Sequence, residues 1–238
     1  MPYFHLARCS VASDELETWL AWARLFLAAA SRSVGLWSVR LLRERTDAPR
    51  FVFVTVWRSQ QDFDRAMSTP DLRLVKAAAE DMATPEERHL ELLDHVWGRR
   101  GFHNFLNPGT GFVQIALVHL PLANLAAWAP YVRNCASVMA RQNGVTSYEV
   151  SRDLSDPEVF YVVRSYESES CSQIMPGATE APSKPTRELE YAVRPATELG
   201  LYEGARPTTH TDWVLIDGAL GPSAHVFYTQ FMENLNSA

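Results

Sequence analysis

The side chains with chemical potential in this sequence are a few polar groups set into apolar, β-rich stretches. His5 lies between Phe4 and Leu6. An ordinary imidazole, with a pKa of about 6.5, suits proton abstraction as a general base. A histidine satisfied by its own hydrogen bonds is the plainer alternative. Phe53, Thr55 and Trp57 alternate along the run Arg50–Ser59 and so share one face of a strand. Arg164 alternates in the same way with Val162 and Tyr166. A guanidinium there must find an ion-pair partner, face solvent, or hold an anion or enolate. Trp57 and Tyr166 suit a hydrophobic core equally well. Trp37 and Tyr148 are placed on the face of Val39 and Leu41, where they could line the same cavity, and Gln114 is polar between Val113 and Ile115. The candidates for chemistry are therefore His5, Trp57 and Arg164. Those for substrate contact are Trp37, Phe53, Thr55, Gln114, Tyr148 and Tyr166.

Other chemistries lack their signatures. His89, His95, His103, His119, His210 and His225 show no HxxH or HExxH spacing, so no metal site is expected. Cys9, Cys135 and Cys171 are scattered without a CxxC pair. There is no glycine-rich phosphate loop and no GxSxG elbow.

The elements that must position these residues come twice. At an offset of 109, His5 falls on Gln114, Gly35 on Gly144 and Trp57 on Tyr166. At the same offset Leu6 meets Ile115, Trp19 meets Trp128, and Arg24 meets Arg133. Ser38 meets Ser147, Asp47 meets Asp156, Phe51 meets Phe160, and Ser59 meets Ser168. An ordered series at one offset is an internal repeat.

Each copy reads strand, helix, strand, strand, helix, strand. Strands are expected at 2–11, 36–45, 50–57 and 88–97, and again at 111–120, 145–153, 159–166 and about 199–206. Helical spacing covers 14–33 and 123–142, with Ser13 or Asp14 and Asn124 as candidate caps. Gly35 and Gly144 follow as C-cap glycines. A second helix spans about 60–82 and breaks at Ser68-Thr69-Pro70. Its counterpart is interrupted by a loop at 176–185 and resumes near Thr186. Residues 1–97 and 110–206 are then two modules joined by a linker at 98–109. A C-terminal extension at 207–238 adds a strand near Trp213–Ile216 and an amphipathic helix from Ser223 to Leu235.

The order βαββαβ is the ferredoxin-like split motif, an α+β fold whose helices cover one sheet face only. Two tandem modules can cover each other's bare faces as an intramolecular dimeric α+β barrel. The chain is then a monomeric pseudo-dimer or a homodimer.

Composition narrows the partners. The net charge of −6 offers no basic field for nucleic acid or an anionic membrane. Thr18–Ala30, interrupted by Arg24, is too short to span a bilayer. The N-terminus lacks a signal-peptide pattern and the cysteines suggest no disulfide framework, so a cytoplasmic protein is expected. Seven Trp, eight Tyr and eleven Phe suit a dense core or an aromatic-lined cavity.

The stretch Gly35–Leu42, then Arg50–Ser59 ending in Trp57-Arg58-Ser59, then Phe63 and Ser68-Thr69-Pro70, resembles the antibiotic biosynthesis monooxygenase family. Val163–Ser168 and Leu201-Tyr202-Glu203 resemble degenerate copies of the same signature. The resemblance implies a hydrophobic small-molecule substrate, such as an anthrone-like aromatic polyketide, oxygenated without a bound cofactor. Trp57 matches the family's Trp. Phe53 stands where its oxygenases often carry Asn, and Arg65–Leu72 contains no His where its haem-binding members place theirs. A cyclase or isomerase using the same pocket, and a non-catalytic small-molecule binding protein, are the alternative readings. Because His5, Thr55 and Trp57 become Gln114, Arg164 and Tyr166, one half is expected to be active and the other a scaffold.

Overall fold

The computed structural model describes residues 2–83, 85–97, 110–126, 128–129, 132, 139, 143–172 and 207–224, with the side chains of 94–97 and 207–210 left aside. The chain forms two compact units, residues 1–91 with 214–238 and residues 92–213. Among the described residues no helix is long and apolar enough to cross a membrane.

The first unit is built from β1 (Tyr3–Ser10), α1 (Leu16–Ala30), β2 (Leu36–Glu44), β3 (Arg50–Trp57), α2 (Gln60–Met67), α3 (Pro70–Glu80) and the first half of β4 (Glu86–Trp97). Its strands lie in the order β4-β1-β3-β2, all neighbours antiparallel. This is the ferredoxin-like arrangement expected from the repeat. Alternation turns Tyr3, Ala7 and Cys9 of β1 and Phe51, Phe53 and Trp57 of β3 to one face. There they pack with Trp19, Ala23 and Leu27 of α1 and with Phe63, Ala66 and Leu72 of α2 and α3.

Local chemistry sets the helix ends. Pro70 has no N–H to lose at the first position of α3, and it holds Thr69 extended, so the break falls where the sequence placed it. The start of α1 differs from expectation. Ser13 and Asp14 sit in a turn, and Glu15 takes the cap position in α-conformation with no side-chain hydrogen bond. The backbone bond from Glu15 N–H to Ala12 O closes that turn instead.

Strand β2 carries a bulge opposite β3, between Leu36 and Ser38. A bulge flips the faces beyond it. Leu36, not Trp37, joins Val39 and Leu41 in the core, so the strand parity that grouped Trp37 with them is corrected; Trp37 is buried outside that cluster. The C-terminal segment also belongs to this unit. Gly221 N–H donates to Trp37 O and Gly35 N–H donates to Ser223 Oγ.

The second unit contains β5 (Phe112–His119), β6 (Val145–Asp153), β7 (Val159–Tyr166), α4 (Glu169–Ser172) and the first half of β8 (Pro207–Leu220). Its order β5-β7-β6 repeats β1-β3-β2, bulge included, here between Val145 and Ser147. A 3-10 turn at Leu122–Asn124 precedes helical residues 125–126, so Asn124 ends a turn rather than capping a helix. Val118, Trp128, Val132, Met139, Tyr148 and Phe160 belong to this unit's core.

The place beside β5, which the fourth strand of the motif takes, is held by β8. Thr211 Oγ1 donates to Ile115 O there. Residues 207–213 thus help build the second unit, where the sequence assigned everything after 206 to an extension. The strand expected at 199–206, the loop at 176–185, the helix near Thr186, the linker 98–109 and nearly all of the helix from Ser223 lie outside the described residues.

Candidate active site

The first unit encloses a cleft between its sheet and its helices, about 510 Å³ of empty space with the open mouth included. His5, Ala7 and Cys9 of β1, Phe53 of β3 and Glu87 of β4 form its floor. Trp19 and Phe26 of α1 with Met67, Lys76 and Ala79 of the second helical layer form its roof. Phe53 lies 5.8 Å from Trp19 and 5.1 Å from Phe26, ring centre to ring centre, so one wall is aromatic. Polar groups are few, as expected of a site that grips an apolar ligand and orients it at one end.

That polar end is set by sheet register. His5 is paired with Thr55 on one side and His89 on the other. Glu87 precedes His89 by two residues and so shares its face. The Glu87 carboxylate oxygen Oε2 lies 3.8 Å from His5 Nε2 and 3.8 Å from His89 Nε2. Its other oxygen accepts from Lys76 Nζ at 2.7 Å. The Tyr3 hydroxyl hydrogen-bonds His89 Nδ1.

His5 is only 6% exposed, and burial outweighs the adjacent carboxylate to push its pKa below the ordinary value. Its ring is neutral at neutral pH, with a nitrogen free to take a proton. The His5 imidazole and the Lys76 ammonium hold the Glu87 carboxyl down to about 2, against the opposing effect of burial. Burial also lifts the Cys9 thiol to about 12, so Cys9 is an inert wall rather than a nucleophile.

Trp57 is fully buried and is not part of the cleft lining. Its indole N–H donates to Thr55 Oγ1 at 2.7 Å, and its ring meets Phe63 edge-on at 5.8 Å. Phe63 in turn packs on His5 at 4.7 Å. Trp57 and Thr55 thus connect to the cleft wall through Phe63 and the sheet.

Phe63 is placed by the start of α2. Ser59 accepts from Asp62 N–H and donates to Asp62 Oδ2, while Arg58 forks onto both Asp62 oxygens at 2.9 Å. Gly35, at φ +93°, makes room: a Cβ there would stand 2.4 Å from Asp62 Cβ. Gly144 repeats the device at φ +81° beside Cys171.

The remaining candidates gather in the second unit. The Tyr166 hydroxyl donates to Gln114 Oε1 at 3.3 Å, and Gln114 Nε2 donates to Asp212 Oδ1 at 3.4 Å. Arg164 is half-buried and paired in register with Gln114 and Tyr148. Burial lifts the Tyr166 phenol to about 12 although Arg164 pulls the other way. The predicted residues therefore fall into two groups, with His5, Phe53, Thr55, Trp57 and Trp37 in one unit and Gln114, Tyr148, Arg164 and Tyr166 in the other.

Sequence spacing missed Glu87, His89, Lys76 and Tyr3. The alternation of Glu87 and His89 was visible, but only the pairing of β1 with β4 brings them to His5. His5, Glu87 and His89 place their ligand atoms within 4.8 Å of one another, so these three could hold a metal ion although no linear motif announces it.

Two ferredoxin-like modules, one with an aromatic cleft around a buried histidine, define the class of protein. The antibiotic biosynthesis monooxygenase family matches residues 2–78 and 111–173, and the chain belongs to that family. This membership supports a monooxygenase-type role. No curated protein matches the sequence significantly.

Solved structures share the fold over almost the whole chain. A candidate monooxygenase from Fusobacterium nucleatum subsp. nucleatum ATCC 25586 is 8% identical with a TM-score of 0.73, covering 92% of this chain and 94% of its own. One from Lactobacillus acidophilus NCFM is 11% identical at a TM-score of 0.70, covering 92% and 96%. An anthrone oxidase-like protein is 10% identical at a TM-score of 0.62, covering 94% of each.

Proposed function

We propose that the first unit oxygenates an enolisable, hydrophobic aromatic substrate with O2 and without a bound cofactor. The observation that carries this reading is the His5 imidazole, buried, neutral and set in the wall of an aromatic cleft.

The chemistry divides into steps that these residues can serve. Phe53, Trp19 and Phe26 hold a flat ring system by stacking and exclude water. His5 takes the proton from the activated carbon, and Glu87 balances the imidazolium that results. The Lys76 ammonium, also on the wall, favours the enolate. The electron-rich enolate then reduces O2, forming a C–O bond to a hydroperoxide. Loss of water leaves a carbonyl. One oxygen atom enters the product and the other leaves as water, so anthrone and O2 yield anthraquinone and H2O.

A second reading is favoured by Phe53. An apolar ring lines the cleft where family oxygenases often carry an amide, which suits a cyclase or isomerase that moves protons and needs no O2. An oxygen electrode separates the two. Purified chain given an anthrone-type substrate should consume one O2 per quinone formed. Turnover of such a substrate without O2 uptake would support the isomerase reading. A Soret band in the purified protein would overturn the cofactor-free claim.

A further inference from the structure

The group at the polar end of the cleft has the composition of a metal site as well as that of a base. His5 Nε2 is buried and has no hydrogen-bond partner. Its nearest charged neighbour, Glu87 Oε2, stands at 3.8 Å, too far for a hydrogen bond. The same oxygen stands 3.8 Å from His89 Nε2, so one carboxylate oxygen faces two imidazole nitrogens. All three ligand atoms lie within 4.8 Å of one another.

An ion with bonds of about 2.0–2.2 Å draws tetrahedral ligands to roughly 3.3–3.5 Å apart. Each 3.8 Å gap must therefore close by about half an ångström or less, and the widest by somewhat over one. Glu87 and His89 are 26% and 43% exposed and can turn that far, while His5 is fixed between Phe63 and the sheet.

Two further features fit. The His89 ring is oriented by the Tyr3 hydroxyl on Nδ1, the kind of outer contact that holds a ligating histidine with Nε2 free. Lys76, the cation beside the group, occupies the other Glu87 oxygen at 2.7 Å and also meets Glu80 at 3.5 Å, so Oε2 stays available.

We infer that His5 Nε2, Glu87 Oε2 and His89 Nε2 form a site for one divalent first-row transition ion of the zinc class. Two imidazoles and one carboxylate select such ions over Ca2+ and Mg2+, which prefer all-oxygen shells. Three protein ligands leave a fourth position open toward the cleft. At the repeat offset the second unit has Gln114 in place of His5, so the repeat does not carry this histidine there.

The inference does not rest on the oxygenase reading, because binding is measured without substrate. If both hold, an ion on His5 takes the lone pair that proton transfer uses, and the loaded form is the inactive one.

The test is calorimetric titration of full-length, metal-stripped protein with Zn2+, with Co2+ absorption as a second readout. One ion per chain should bind, with d–d bands of Co2+ bound by nitrogen and oxygen. His89→Gln and Glu87→Gln should each weaken binding by about tenfold or more, and Tyr3→Phe by about tenfold. His119→Gln, on exposed β5 surface in the other unit, should leave binding unchanged. His89 is partly exposed, so its variant keeps the fold, as circular dichroism would verify, even if Glu87→Gln does not. Absence of saturable Zn2+ binding, or equal affinity in wild type and folded His89→Gln, overturns the site. Failed oxygen uptake with intact Zn2+ binding would count against the oxygenase reading alone.

Discussion

Replacing Gly35 by alanine should cost this chain a large part of its margin of stability. The residue sits at φ +93°, a left-handed conformation that costs an L-residue roughly 1–2 kcal/mol. The new Cβ would also stand 2.4 Å from Asp62 Cβ and 2.6 Å from Cγ, closer than real side chains approach. Asp62 must then move off Ser59 and Arg58, and losing that helix cap costs about 1 kcal/mol more. The total is roughly 2–3 kcal/mol, which for a chain of this size lowers Tm by about 4–12 °C. Thermal melts followed by circular dichroism measure it. Gly35→Asn separates the two causes: asparagine tolerates the left-handed backbone but carries the same Cβ, so most of the loss should remain. A Gly35→Ala protein that melts within about 2 °C of wild type would refute the reasoning.

Two other changes follow from neighbouring contacts. The Arg58 fork, then the Ser59 hydroxyl, hold the Asp62 carboxyl below its usual range although burial opposes them. Its stabilising contribution is therefore full above the unfolded value of about 3.9 and is lost as pH falls through the lower folded value. Urea melts should show Asp62→Asn less stable than wild type at neutral pH, with the gap shrinking below about pH 4; a gap that widens on acidification would contradict the sign. Trp57→Phe removes the donor to Thr55 Oγ1 in a fully buried site and should cost about 1–3 kcal/mol in the same melts. A neutral substitution would mean that Thr55 is satisfied in another way.

The fold was legible because both copies obey the same local rules. Strand alternation in β1 and β3 and the Thr69-Pro70 break act within a few residues, and the structure keeps them; Gly35 takes its positive φ not as the cap of α1, which is Ser31, but four residues later in the turn before β2. The offset of 109 that aligns His5 with Gln114 stops being useful once the second copy departs from the first. The strand seen beside β5 is Pro207–Leu220, while the position the offset names lies outside the described residues. Trp37 was misplaced because a bulge is invisible to parity counting.

The site was legible only in part. His5 and Phe53 stood out as a polar group and an aromatic on alternating strands, and both line the cleft. Glu87 and His89 are more than eighty residues from His5 and reach it through the register of β1 on β4, which no spacing motif encodes. Trp57 carried the family signature yet spends its N–H on Thr55 and its ring on Phe63.

The central claim is that the chemistry belongs to the His5 cleft of the first unit. Oxygen uptake with an anthrone-type substrate, measured side by side on metal-free wild type, His5→Gln and Arg164→Ala, tests it most directly. The account predicts that His5→Gln loses at least about a hundredfold in kcat, the usual scale for removing a general base, while Arg164→Ala stays within a few-fold of wild type. Full activity in His5→Gln, or its collapse in Arg164→Ala with His5 intact, would contradict it.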